Sequence, residues 1–253
     1  MIALPRSEID WLFPATPESG DMKHTKEEIL SHPTRPFPID EGKSASAVLE
    51  KMAGTAFQGR ELGNAFQVWK QMLADPECTI LMGLSGAMVP AGMRHLVAYM
   101  IENRLIDVLA STGANFFHDI HETKGFRHYQ GSPFVDDAKL REASVDRIYD
   151  TYIDEKQLQT CDTTIADIAD ALERRPYSSR EFISEMGRHL TANARKDDSL
   201  VQLAYENDVP VFCPAFSDSS AGFGLVKHQC DHPDRHLSID SVKDFRELTE
   251  IKI

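Results

Sequence analysis

Residues 83–119, GLSGAMVPAGMRHLVAYMIENRLIDVLASTGANFFHD, hold two small-residue turns, each closing an apolar run and followed at once by a helical pattern. Strand, turn and helix repeated in this way constrain the chain strongly. Strands joined through helices pair in parallel, so their carboxyl ends and the turns after them share one edge of a sheet. Open sheets of this type bind nucleotides at that edge. The first run is Thr79–Met82, closed by Gly83, and the second is Ile106–Ala110, ending in Ser111-Thr112-Gly113-Ala114. Pro90 suits the first turn of the intervening helix, where its missing N–H costs nothing, and Asn103 marks that helix's end. A third run, Val209–Cys213, is stopped by Pro214 and followed by Ser217-Asp218-Ser219-Ser220.

Helical spacing appears from Ser44, with Ser44 or Ser46 as cap, and again over about Glu61–Leu73. Further helices are expected near 163–174, 178–193, 198–207 and 239–250, and residues 124–154 read as loop with one short helix near Asp137–Ala143. The expected fold is therefore α/β: a Rossmann-like parallel sheet flanked by helices. Residues 1–42, rich in proline and charge, read as an extended N-terminal arm, and 43–253 as the α/β domain.

A net charge of −13 opposes nucleic-acid and anionic-membrane partners and suits a cationic substrate such as a polyamine. The N-terminus does not read as a signal peptide, and no run has the ~20 apolar residues of a membrane span, so a cytoplasmic protein is expected. Cys78 and Cys213, in or beside apolar runs, read as buried free thiols.

Three groups of residues converge on the predicted edge: Ser85-Gly86-Ala87, Thr112-Gly113-Ala114 and Ser217–Ser220. Small residues let a cofactor approach the backbone, helix N-termini favour phosphate, and the Asp218 carboxylate suits ribose hydroxyls. The plain alternative is a set of tight turns, since neither GxGxxG nor a P-loop is present. Two histidine-rich segments, HDIHE (His118, Asp119, His121, Glu122) and HQCDHPDRH (His228, Cys230, Asp231, His232, His236), carry metal-ligand types. Neither has a standard zinc spacing, and Pro233 marks the second as a surface loop. Solvated or hydrogen-bonded histidines are the expectation, and no metal is assigned.

GLSGAMVPAGMRHLVAYMIENRLIDVLASTGANFFHDI resembles the deoxyhypusine synthase family, in which a strand, a Ser-rich turn and a GxR helix precede a second strand ending in TTGG or TAGG. NDVPVFCPAFSDSSAGFG is similar to that family's IPVFxPAxTDGxxG, and TAFQGRELGNAFQVWKQM and VDDAKLREASVDRIYD also match family stretches. The resemblance runs from about residue 33 to the end. It implies a Rossmann-like homotetramer that uses NAD to oxidise spermidine and moves the aminobutyl group to a lysine of a translation factor, or to a small amine. By position it implies that Gly86, Ala87, Met88, Val89, Pro90, Thr112, Gly113, Ala114 and Asp218 face the cofactor, and that His118 and Asp119 face the substrate.

The chain departs from the pattern at several points. Gly86–Pro90 stands where eukaryotic members have SNLIS, Phe117-His118 where they have paired carboxylates, and Phe223 where an acid is expected. The family's GGG strand, substrate histidine and Trp-x-Lys nucleophile belong beyond Ile253, and Lys227, Lys243 and Lys252 match no such motif, so no catalytic residue is assigned. Besides the transferase, two functions remain open on these residues: an inactive paralogue acting as a binding or regulatory subunit, and a metal-dependent hydrolase built on the histidines.

Overall fold

The computed structural model describes residues 26, 30–37, 44–193 and 198–251. Two compact units divide after Gln71. The predicted arm lies mostly outside the described residues. Within it, residues 33–37 form no regular element, and the Arg35 amide donates to the Gly54 carbonyl at 2.7 Å. In the first unit, α1 (Ala45–Met52) is capped by Ser44, whose hydroxyl accepts from the Ala47 amide at 3.2 Å. Helix α2 (Phe57–Ala74) lies close against the end of α1: a Cβ on Gly63 would come within 2.2 Å of the Ala53 nitrogen.

The second unit begins with β1 (Leu81–Leu84), a π-helical turn (Val89–Met93), α3 (Arg94–Glu102), β2 (Val108–Ser111) and α4 (Gly113–Thr123). There follow β3 (Tyr129–Gln130), α5 (Asp137–Glu142), β4 (Val145–Ile148), β5 (Thr151–Asp154), α6 (Glu155–Asp170), β6 (Pro176–Tyr177) and α7 (Ser179–Asn193). The described residues close with α8 (Leu200–Glu206), β7 (Val211–Phe212), α9 (Ser220–Asp231), β8 (Ser238–Ile239) and α10 (Ser241–Thr249). Strands β1, β2 and β7 form a parallel sheet in that order, with Leu84 beside Ser111 and Ala110 beside Phe212. Val108 and Leu109 of the central strand are buried, as a strand covered on both faces requires. Phe116, Phe117 and Ile120 of α4 and Phe182, Ile183, Met186 and Leu190 of α7 supply the covering helical faces. Among the described residues no helix is long and apolar enough to cross a membrane.

Three expectations are corrected. Pro90 lies not in the first turn of an α-helix but in the π-helical turn, where the Met93 amide reaches back to the Met88 carbonyl at 3.0 Å and Gly92 has φ +88°. The α-helix starts only at Arg94. Residues 124–154 contain a three-stranded antiparallel sheet, β3-β5-β4, whose short, polar strands leave no apolar alternation to read. HQCDHPDRH is not simply a surface loop, because His228 is a fully buried residue of α9. Gly222 and Gly224 permit close packing of α9. A Cβ on Gly224 would meet Ile165 Cβ at 2.6 Å and the Asp162 carbonyl at 2.7 Å.

The carboxyl end of β7 is fastened from behind. The Ser179 hydroxyl accepts from the Cys213 amide at 2.7 Å and donates to Asp244 of α10 at 2.5 Å. Ser178 and Glu181 form a capping box at the start of α7, each side chain bonding the other's amide, at 3.1 and 3.0 Å.

Candidate functional site

At the carboxyl edge of the parallel sheet, a cleft of about 450 Å³ is lined by Gly83, Ser85, Thr112, Gly113, Pro214 and Asp218, among others. Residues from all three strand ends therefore share one wall. The first turn is fixed to the second by buried Asn115, whose amide nitrogen approaches the Gly86 carbonyl at 3.3 Å and the Ser111 hydroxyl at 3.0 Å. Its oxygen accepts from the Val89 amide at 3.1 Å, and the Thr112 hydroxyl donates to the Gly86 carbonyl at 2.6 Å.

Because that hydroxyl is turned toward Gly86, Thr112 makes no side-chain cap on α4, and the helix presents uncapped amides beside the cleft. Gly113 lies hard against the third turn, since a Cβ there would stand 2.2 Å from the Ser219 hydroxyl. Ala114 is half-buried behind it, and Asp218 is exposed at the rim. The first turn diverges from this arrangement. Gly86 is exposed with φ +64°, a conformation glycine adopts without strain. Met88 is exposed and Val89 is buried with its amide engaged. Ala87 and Pro90 line a second cavity of about 810 Å³, with His128 and residues of β3 and the β4–β5 hairpin on its other side.

His118 and Asp119 are neighbours with different surroundings. The Asp119 carboxylate is completely buried and filled by Arg94 Nε at 2.7 Å, the Ser199 hydroxyl at 2.6 Å, and the amides of Leu200 and Val201 at 3.0 and 3.2 Å. It thus serves the N-terminus of α8 and pairs with Arg94. Burial disfavours the Arg94 charge, but Asp119 and Asp198 outweigh it and raise the guanidinium above its ordinary range. His118 contacts His128, Nδ1 to Nε2 at 3.0 Å, and His128 Nδ1 meets Glu122 Oε1 at 2.9 Å. Burial, with His128 and His121 alongside, pushes His118 down to about 3. His121 is pushed to about 4, first by burial and then by His128. Its Nε2 lies 3.2 Å from Gln157 Oε1, and its buried Nδ1 has no partner.

The second histidine group converges on Asp170, which lies 2.5 Å from His228 Nδ1 and 3.0 Å from His232 Nε2. These three have ligand atoms within 4.8 Å of one another, but their lone pairs are spoken for. His228 Nε2 accepts from the Leu237 amide at 3.0 Å, and His232 Nδ1 accepts from Arg174 at 3.0 Å. The His228 ring therefore carries its proton on Nδ1, facing Asp170, and Arg174 Nη2 stands within 3.3 Å of both ring nitrogens of His232, which puts a fixed positive charge against the trio. The arrangement holds a carboxylate in place, and an arginine beside it opposes a metal ion. The lysines considered from sequence are also engaged: Lys227 pairs with Asp231 at 2.5 Å and Lys243 with Glu181 at 2.6 Å. Lys252 lies outside the described residues. All four cysteines are free. Cys213 and Cys161 are buried, with thiols pushed by burial to about 12, whereas Cys78 is only half-buried.

Asn115, Arg94, Ser199 and His128 were not singled out by sequence. Arg94 stands among apolar residues of an amphipathic helix, which is a usable signal for a buried, paired charge. His128 in GFRHYQ carries no motif, and reaches α4 only because Gly125, at φ +88°, turns the chain back.

Comparison with known proteins is consistent with this geometry. The family model for deoxyhypusine synthase matches residues 47–253. A deoxyhypusine synthase-like protein of Coxiella burnetii is 51% identical over 234 residues, covering 92% of this chain and 66% of the relative. One from Chlorobaculum tepidum is 53% identical over 207 residues, covering 81% of this chain and 59% of the relative. The chain thus spans less than two thirds of the length of these curated relatives. A crystal structure of a candidate deoxyhypusine synthase from Entamoeba histolytica is similar in fold, with TM-score 0.60 and 19% identity, covering 85% of this chain and 72% of that one. The parallel sheet, its small-residue turns and these similarities together show that the chain belongs to the deoxyhypusine synthase family.

Proposed function

We propose that this chain supplies the cofactor cleft and part of the substrate side of an NAD-dependent transferase. In this reading it oxidises spermidine and passes the aminobutyl group to a lysine of a translation factor or to a small amine, as a cytoplasmic homotetramer. The observation that carries the reading is the single cleft shared by residues of three turns, in a chain of this family.

The residues present fit NAD. Gly83 leaves the backbone accessible, the uncapped start of α4 at Thr112, Gly113 and Ala114 suits a pyrophosphate, and Asp218 offers a carboxylate to ribose hydroxyls. Ser85 brings the first turn to the cleft, and Gly86, Ala87, Met88, Val89 and Pro90 continue that turn away from it toward the second cavity, with Asn115 and Thr112 holding its position. Bound at this edge, NAD would supply the acceptor for a hydride from the carbon beside an amine. His118 faces the amine side, and Asp119 acts by fixing α4 to α8 and Arg94. The net charge of −13 favours a polycation over an anionic partner. The lysine that receives the aminobutyl group during transfer is assigned to none of the described residues.

The test is NADH formation when spermidine is added to the longest natural polypeptide containing this sequence, supplied with NAD. Absorbance from NADH is the expected result. Lack of NADH together with lack of NAD binding by calorimetry would overturn the reading.

A further inference from the structure

The group around His128 has an internal order that the resemblance to the family does not supply. A carboxylate only accepts, so the 2.9 Å contact from Glu122 Oε1 places a proton on His128 Nδ1. Burial opposes ionisation of Glu122, but its contacts with His128 and Arg94 outweigh that and lower it below the usual range. In the neutral pair of rings, His128 Nε2 is then a lone pair. The 3.0 Å contact requires the proton on His118 Nδ1, which leaves His118 Nε2 as a base. Among the described residues that nitrogen has no hydrogen-bond partner.

We propose that Glu122, His128 and His118 form a proton relay, which takes up a proton at His118 Nε2 and stores it on His128 against the Glu122 carboxylate. The step balances without any change in electrons. A proton adds to His118 Nε2, the His118 Nδ1–H bond breaks, and that proton passes to His128 Nε2. His118 ends neutral in its other tautomer, and the new charge sits on the ring that touches the carboxylate. His118 is a poor site for the charge, being 6% exposed and crowded by two other imidazoles. His128 also lines the 810 Å³ cavity beside Pro90, so the stored charge stands at a cavity wall.

Other charged and titratable groups meet this pair from each neighbouring element. His121 of α4 places its ring 4.9 Å from that of His128. Arg94 of α3 stands 3.9 Å from Glu122. From the start of α6, Asp154 acts on His121 through its charge and Gln157 through a hydrogen bond.

The identity of the proton donor rests on the proposed function. An ammonium has no lone pair to assist loss of hydride from its neighbouring carbon, so a polyamine must first lose a proton. His118 is the acceptor, while His128 and Glu122 are positioning residues acting through it.

Nitrogen-15 NMR of the histidine rings tests the relay on the chain as it stands, without substrate. The neutral state is expected to show His118 as the Nδ1–H tautomer, which is the minor form of a free imidazole side chain. Glu122→Gln, whose amide can donate to His128 Nδ1 as well as accept from it, is expected to release the His128 tautomer and to give a mixture of tautomers at His118. An Nε2–H His118 in the wild type, or an unchanged His118 tautomer in the variant, would overturn the relay.

The activity arm uses the longest natural polypeptide. Glu122→Gln is expected to lower kcat about tenfold with KM little changed, with partial rescue by Glu122→Asp. If the wild type makes no NADH from spermidine, the amine reading fails, and the tautomers still decide the relay. If NADH forms and His118 is Nε2–H throughout, the relay fails and the amine reading stands.

Discussion

Two histidine-rich segments that look alike in composition behave as opposites in the fold. Around Asp170, each ring nitrogen of His228 and His232 has a partner, supplied by the carboxylate, a backbone amide and Arg174. Around His128, the chain of contacts ends on two nitrogens without partners among the described residues, His118 Nε2 and the buried His121 Nδ1. A closed network keeps its proton positions and serves stability. An open one retains basic lone pairs, and His128, through which they connect, stands at a cavity wall. Composition indicates which atoms are present, whereas the count of satisfied lone pairs indicates what they are free to do.

The sharpest way to break the comparison is at Arg94, because Asp119 is a closed site directly adjoining the open one. Arg94→Met leaves a completely buried carboxylate without its cation, and a loss of about 3–5 kcal/mol in unfolding free energy is expected from urea denaturation. His228→Ala opens the second network and strands the Leu237 amide. A loss of about 2–3 kcal/mol is expected, with NAD binding unchanged.

Acid separates the two regions more gently. His118 and His121 titrate near 3 and 4 in the folded chain, against about 6.5 when unfolded, so the unfolded state binds more protons between those limits. Stability contributed by these groups is complete above pH ~6.5 and falls with decreasing pH, by up to about 2.7 kcal/mol per unit for the two together. His121→Phe should remove about half of that slope in denaturation curves recorded across the acid range. The smallest effect expected is none: Zn²⁺ added at neutral pH should leave Tm unchanged, since binding at Asp170 would have to displace the proton on His228 Nδ1 and stand beside the Arg174 guanidinium. A rise in Tm that disappears in His228→Ala would show that the second group is open after all.

The parallel sheet was legible because its strands are apolar on both faces and its turns are built from small residues. Ser85, Thr112 and Asp218 do meet at one cleft, as strand–helix alternation demands. Helix α9 was hidden because glycines needed for close contact with α6 have the composition of a turn. The β3-β5-β4 sheet was hidden because strands of two to four residues, mixed in polarity, are too short to show a period. Asp119 was placed on the substrate side through resemblance alone. Its four donors come from segments distant in sequence, including Ser199, 80 residues away, which no local pattern signals. His128 illustrates the same limit: its significance lies in a contact with His118 that only the turn at Gly125 creates.

The hydroxyl of Ser179 carries a consequence for dynamics. One oxygen joins the Cys213 amide, directly before the cleft wall at Pro214, to Asp244 in the last described helix. A ligand that steadies residues 214–218 should therefore slow amide exchange in α10, although α10 contributes nothing to the lining of that cleft. The protection should vanish in Ser179→Ala, making the start of α7 the point through which occupancy of the sheet edge is felt across the domain.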